Sequence, residues 1–182
     1  MKEVSLGGMK QICFFYGGYN LILQSLQITR ESQRPPFWII STGTFFSVVI
    51  FTFIMLRFKE ELNNRLGSFK MDIIINLMIC ITIAGHGGMI LAKVYPSELF
   101  WFQLIFAVTD LVLLVIYSIF LKRLDAPIEL IGKLKDLPLY SNCILTAVLM
   151  AISLIGIVIS IFLISLSYFI LGGIFADMEE IR

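Results

Sequence analysis

The sequence predicts an all-α fold, a polytopic integral membrane helix bundle, on three observations. Of its 182 residues, 58% are hydrophobic and 15% charged, whereas soluble domains are about half apolar and about a quarter charged. The apolar residues gather into runs of about 20, the length a helix needs to cross the hydrocarbon core of a bilayer. The charges fall between those runs, and the mean hydropathy is +0.92. A single membrane domain over residues 1–182 accounts for all three.

Four runs meet the length requirement without interruption, at residues 37–56, 72–92, 99–121 and 143–175. Pro35 and Pro36 precede the first, where proline is tolerated because an N–H at a helix start has no partner in the helix. Pro96 marks a tight turn between the second and third. The last run, from Cys143 to about Phe175, exceeds one crossing and predicts a helix that tilts or projects. A fifth candidate, residues 11–28, is weaker, because Asn20, Gln24 and Gln27 would sit in or near hydrocarbon and Gly17 and Gly18 lower helix propensity.

Charge placement arbitrates. With five crossings, the N-terminal segment and the loops 57–71 and 122–142 share one side, holding Lys2, Lys10, Arg57, Lys59, Arg65, Lys70, Lys122, Arg123, Lys133 and Lys135. The other side holds Arg30, Arg34, Lys93 and Arg182. If residues 11–28 lay on the surface, Lys2 and Lys10 would join the poorer side, so the positive-inside rule favours five helices. The expectation is a multi-pass protein with a cytoplasmic N-terminus and a C-terminus on the opposite side, in a plasma membrane or an endomembrane. Phe37, Trp38, Tyr95, Phe100 and Trp101 fall at the outer interface, as an aromatic belt would. In the second basic loop, Ile128, Ile131, Leu134 and Leu137 recur about a turn apart, which suits either a short surface helix or a plain connection.

Composition also bounds function. A net charge of +1 leaves no basic surface for a phosphate backbone, so nucleic acid is excluded as a partner. Cys13, Cys80 and Cys143 are widely spaced, with no CxxC, and support neither a disulfide framework nor a metal site. Cys13 and Cys143 fall at expected helix ends, where acylation has an opportunity. No Asn-x-Ser/Thr acceptor occurs, and residues 1–10 lack the tripartite pattern of a cleaved signal. HExxH, a phosphate-binding glycine loop, GxSxG and a haem histidine pair are all missing from the sequence, so neither enzyme activity nor a cofactor is expected.

Several local patterns resemble the membrane-spanning four-domain family of tetraspan proteins. They are Leu6-Gly7 with Gln11-Ile12, Pro36-Phe37-Trp38-Ile39-Ile40-Ser41-Thr42-Gly43, Gly67-Ser68, and Met71-Asp72-Ile73 leading to Ala84-Gly85, with Asp110 where the family's last helix often carries an acid. The resemblance spans about Leu6 to Lys122. The turn 94–98 is shorter than the family's outer loop, and the run from Cys143 has no counterpart there. The insect snakeskin-type junction tetraspans are similar through Asp72-Ile73-Ile74, Asn76 and Gly87-Gly88. Both resemblances imply a non-enzymatic protein that assembles with itself or with other membrane proteins.

Ionisable groups inside a bilayer are costly and draw attention by default. His86, the only histidine, lies in Ala84-Gly85-His86-Gly87-Gly88, and Asp110 lies mid-way along the next run. Counted from the Pro96 turn, their depths differ by roughly one helical turn, so a direct or water-bridged contact is feasible. Such a pair could sense protons or ions. The simpler reading, preferred here, is a polar clamp between two helices, since one pair without a lined pathway makes no pore. Ala84 and Gly88, Ala147 and Ala151, and Gly156 and Ser160 are small-xxx-small pairs that let helices approach closely. The function expected from the whole is a scaffold, accessory subunit or organiser of membrane-protein assemblies in the lipid bilayer, with an ion or proton channel or transporter subunit as the rival.

Overall fold

A computed structural model of the protein describes residues 5–28, 35–66, 69–92, 100–124, 134–153 and 156–180. The first helix, α1, is Leu6–Ile28. It starts at Leu6 instead of Gln11 because Ser5 caps it: the Ser5 hydroxyl accepts the Gly8 N–H at 3.2 Å and the Ser5 carbonyl accepts the Met9 N–H. The second, α2, is Phe37–Leu66. At 30 residues it is about 45 Å long, well beyond a hydrocarbon core of about 30 Å.

The expected loop 57–71 is therefore mostly helix. Hydropathy ends at Arg57, but the inward stripe does not, since Ile54, Phe58 and Leu62 are all completely buried. The charges between them hold the helix, because Glu61 lies one turn from Arg57 and from Arg65 and pairs with both, at 3.7 and 2.8 Å. A single 3₁₀ turn, Phe69–Met71, leads into α3, Asp72–Ala92, and α4 is Phe100–Lys122. The turn expected at Pro96 lies outside the described residues.

The long run from Cys143 is two helices, not one. Helix α5 is Leu137–Ala151 and α6 is Gly156–Glu180. The Cys143 thiol donates to the Leu163 carbonyl at 3.1 Å, whereas a straight helix would hold those residues about 30 Å apart. The chain reverses at Ile152–Ser153. Ser153 restarts the helix by accepting the Gly156 N–H on its hydroxyl at 3.0 Å and the Ile157 N–H on its carbonyl. Gly156 fits because a Cβ there would overlap the Met150 carbonyl oxygen. Helix α5 begins six residues before Cys143, with Pro138 in its first turn, and the stretch 126–133 of the ambiguous second basic loop lies outside the described residues.

Each of the six described helices packs on the next, and α6 returns to α1, closing a ring. The pairings run antiparallel throughout. Tyr19 bonds Gly43, Asn63 bonds Asp72, Ser141 bonds Ser118, and Gly17 faces Ser165. An even number of described helices brings the start of α1 beside the end of α6: a Cβ on Gly7 would stand 3.1 Å from Glu179 Oε2. Residues 6–180 thus form six described helices where five were expected, the α5–α6 reversal adding one, and the start of α1 and the end of α6 share one end of the ring. Four of the helices, α2, α3, α4 and α6, are long and apolar enough to cross a membrane. The protein is an all-α, multi-pass bundle.

Its interior is filled by rings from helices distant in sequence. Phe58 of α2 meets Tyr140 of α5 edge-on at 6.2 Å and Phe175 of α6 at 6.0 Å, and Tyr140 meets Tyr117 of α4 at 6.3 Å. Around them Met9, Met55, Met71 and Met178 are buried, unbranched side chains suited to irregular gaps. Outward, the large side chains are apolar: Trp38, Phe45, Phe46, Ile73, Ile105 and Val158 are exposed, as lipid-facing positions require.

Candidate functional site

The described charges gather at the end of the ring where α1 starts and α6 stops. There Lys59 reaches Asn76 at 3.0 Å, Arg57 holds Glu60 at 2.8 Å, and Lys122, Lys135, Asp136 and Asp177 lie near the chain ends of their helices. Among the described residues Asp110 and His86 are the acidic and basic side chains far from that end.

Asp110 and His86 sit on opposite sides of the α3–α4 seam. The His86 ring bonds its own helix, Nδ1 lying 2.7 Å from the Thr82 carbonyl oxygen, which accepts the Nδ1 proton and fixes the ring orientation. Asp110 lies within electrostatic range of His86 across the seam and of Tyr168 of α6. Among the described residues no hydrogen bond joins His86 to Asp110. What holds α3 to α4 is instead an interlock of glycines and rings. Phe106 packs over Gly85, where a Cβ would stand 3.3 Å from the ring, and Phe102 fills the notch at Gly88 so fully that a Cβ there would overlap it. The two rings pack tilted against each other, 4.3 Å between centroids and 39° between planes. The close contact at this seam is steric, made by Gly-x-x-Gly on one helix and Phe-x-x-x-Phe on the other.

Register explains why Asp110 is only half-buried. Ser118 lies opposite Ser141 and Tyr117 opposite Tyr140, so the end of α5 falls level with about Val108. The first turns of α4 extend roughly 12 Å beyond it, leaving Leu104, Ile105 and Val108 exposed. Deeper in the ring, the Tyr16 and Ser47 hydroxyls bond at 3.1 Å, and Tyr16 stands edge-on to Tyr168 at 4.5 Å. Buried Ser41, Thr52 and Ser165 hydroxyls have no partner among the described residues, so this half of the interior offers sites for ordered water.

The small residues divide by face. Gly88 packs within the chain, Ala147 and Ser160 are buried between α5 and neighbours, and Gly156 belongs to the reversal. Ala151 is half-buried near the same turn. Ala84, by contrast, faces outward, and together with exposed Cys80 and with Gly87, whose Cβ position has nothing within 4 Å, it forms an open strip along α3. Sequence spacing paired Ala84 with Gly88; three-dimensional placement pairs it with Gly87 and Cys80. Cys13 and Cys143 are buried, so their thiols are not open to acylation in the folded chain. Among the described residues no group of three His, Cys, Asp or Glu is placed to hold a metal ion.

Compared with family models, curated proteins and solved structures, the chain matches none.

Proposed function

We propose that the protein is a multi-pass membrane scaffold or accessory subunit, without catalysis of its own, that associates laterally through the outward face of α3. The observation that carries this reading is the uncovered strip of Cys80, Ala84 and Gly87. These positions are spaced one turn apart and flanked by exposed Ile73, Leu77 and Ile83. In hydrocarbon, helices associate by close van der Waals fit, which small residues permit. The partner whose geometry follows most directly is a second copy, because a two-fold arrangement sets like face on like face. The charge-rich end, with both chain ends, then faces the cytoplasm by the positive-inside rule, and the resemblance to tetraspan families accords with such a role.

Native Cys80 supplies the test. Oxidative or short bismaleimide crosslinking in membranes gives a covalent dimer through Cys80, and Gly87→Leu reduces its yield while leaving the monomer folded. A monomer unchanged by crosslinking overturns the reading.

The second reading, an ion or proton channel or transporter subunit, draws on Asp110, which is within electrostatic reach of both His86 and Tyr168. The ring centre weighs against it within one chain, because Phe58, Tyr117 and Phe175 fill it completely buried. Flux into liposomes holding the purified protein, abolished in both His86→Ala and Asp110→Asn, would establish the rival. Silence with a Cys80 crosslink supports the scaffold.

A further inference from the structure

At the charged end, the start of α1 and the end of α6 part to leave an open cavity of about 520 Å³, lined by Gly7, Lys10, Gln11 and Phe14 on one side and by Glu179 and Glu180 on the other. The opening is made by the sequence. Gly7 leaves room for the Glu179 carboxylate, which would be 3.1 Å from any Cβ there. Below it the helices close, since the Phe14 ring covers Gly172 and tilts against Phe169 at 5.6 Å.

Among the described residues, the polar groups of the lining, Lys10, Glu179 and Glu180, make no ion pair, and Asp177 stands beside them within electrostatic range of Lys10 and Glu180. The Lys10 ammonium lies 5.8 Å above the Phe14 ring. The cavity thus presents a cation with an amide donor beside it, then two carboxylates across a gap, with an aromatic floor leading down the α1–α6 seam. Because α6 has 25 residues, about 37 Å, its last turns reach the headgroup layer.

We infer that this cavity binds a phospholipid with a primary-amine headgroup, one acyl chain descending past Phe14 and Phe169. Lys10 and Gln11 donate to the phosphate, and the Glu179 and Glu180 carboxylates accept hydrogen bonds from the ammonium. Two carboxylates against one ammonium make the site net negative, which disfavours a lipid of net negative charge. A quaternary amine calls for an aromatic cage; the aromatic face at this site is Phe14, already under the Lys10 ammonium, whereas carboxylates favour an amine that can donate hydrogen bonds. The site does not depend on what covers α3.

The test is lipid titration of the purified full-length protein, read by native mass spectrometry and by the unfolding midpoint. The probes are phosphatidylethanolamine, phosphatidylcholine and phosphatidylglycerol with identical chains. Phosphatidylethanolamine binds about tenfold tighter than the other two, the discrimination that charge-assisted hydrogen bonds provide. The preference disappears in E179Q/E180Q, whose exposed side chains make no described ion pair and so leave the fold intact. Lys10→Gln weakens phosphatidylethanolamine and phosphatidylcholine together. Equal affinity for all three lipids, a preference for phosphatidylglycerol, or a tenfold preference that survives E179Q/E180Q overturns the assignment.

Discussion

Gly87 and Gly88 are neighbours in sequence with opposite expectations for the same substitution. A Cβ at Gly87 meets nothing within 4 Å, while one at Gly88 overlaps the Phe102 ring. The ring cannot simply swing away, because it packs tilted against Phe106 at 4.3 Å and Phe106 in turn lies on Gly85. Replacing either glycine by alanine changes helix propensity by the same amount, about 1 kcal/mol in favour of alanine. The difference between the two variants therefore isolates packing against Phe102. Forcing a methyl into a filled site costs about 1–3 kcal/mol, so Gly88→Ala should be less stable than Gly87→Ala by that amount. Unfolding by SDS in mixed micelles, followed by tryptophan fluorescence, measures it. In a Phe102→Ala background the difference should vanish, since contacting residues couple. Equal stability of the two alanine variants, or a Gly88→Ala deficit that persists without the Phe102 ring, would refute the interlock.

Phe58→Ala removes a ring touching both Tyr140 and Phe175 and should cost about 3–5 kcal/mol in the same unfolding assay; a loss under 1 kcal/mol would mean the ring layer collapses to fill the gap. Thiol labelling of the folded protein in detergent should modify Cys80 rapidly, while Cys13 and Cys143, both buried, react only on unfolding; three fast thiols would contradict the ring. Tags placed before Met1 and after Arg182 should be protected or digested together when sealed vesicles are treated with protease, since α1 starts beside the end of α6; opposite responses would restore a five-crossing arrangement.

The parts of this fold that were readable in the sequence are those carried by hydropathy. The apolar blocks of α2, α3 and α4 announce themselves because hydrocarbon admits little else. What escaped is carried by single polar groups that hydropathy averages away. Ser153 and Gly156 divide an unbroken apolar run by one side-chain bond and one missing Cβ. The last turns of α2 hide under charge, although Arg57, Glu61 and Arg65 at four-residue spacing beside Phe58 and Leu62 were a usable signal. At the candidate site, proximity of His86 and Asp110 follows from a short turn and helical rise. That the seam is closed by Phe102 and Phe106 on Gly85 and Gly88 required the rotation of each helix about its axis, which spacing alone leaves free.

The same reasoning resolves the weak first helix. Its polar residues counted against a membrane position only if α1 stood alone in lipid. In the ring, Tyr16 and Asn20 are turned inward and buried, Tyr16 bonding Ser47 of α2 and standing against Tyr168 of α6. Gly17 is needed there, because a Cβ would press on the Ser165 carbonyl at 2.9 Å and on the Phe169 ring at 2.8 Å. Of the two glycines that lower the propensity of α1 in isolation, Gly17 is thus the one that admits α6. Since α6 lies furthest from α1 along the described residues, α1 acquires this packing surface only when the α5–α6 hairpin arrives. The ring is closed by its first and last members, and the low hydropathy of α1 is the consequence of facing protein on two sides.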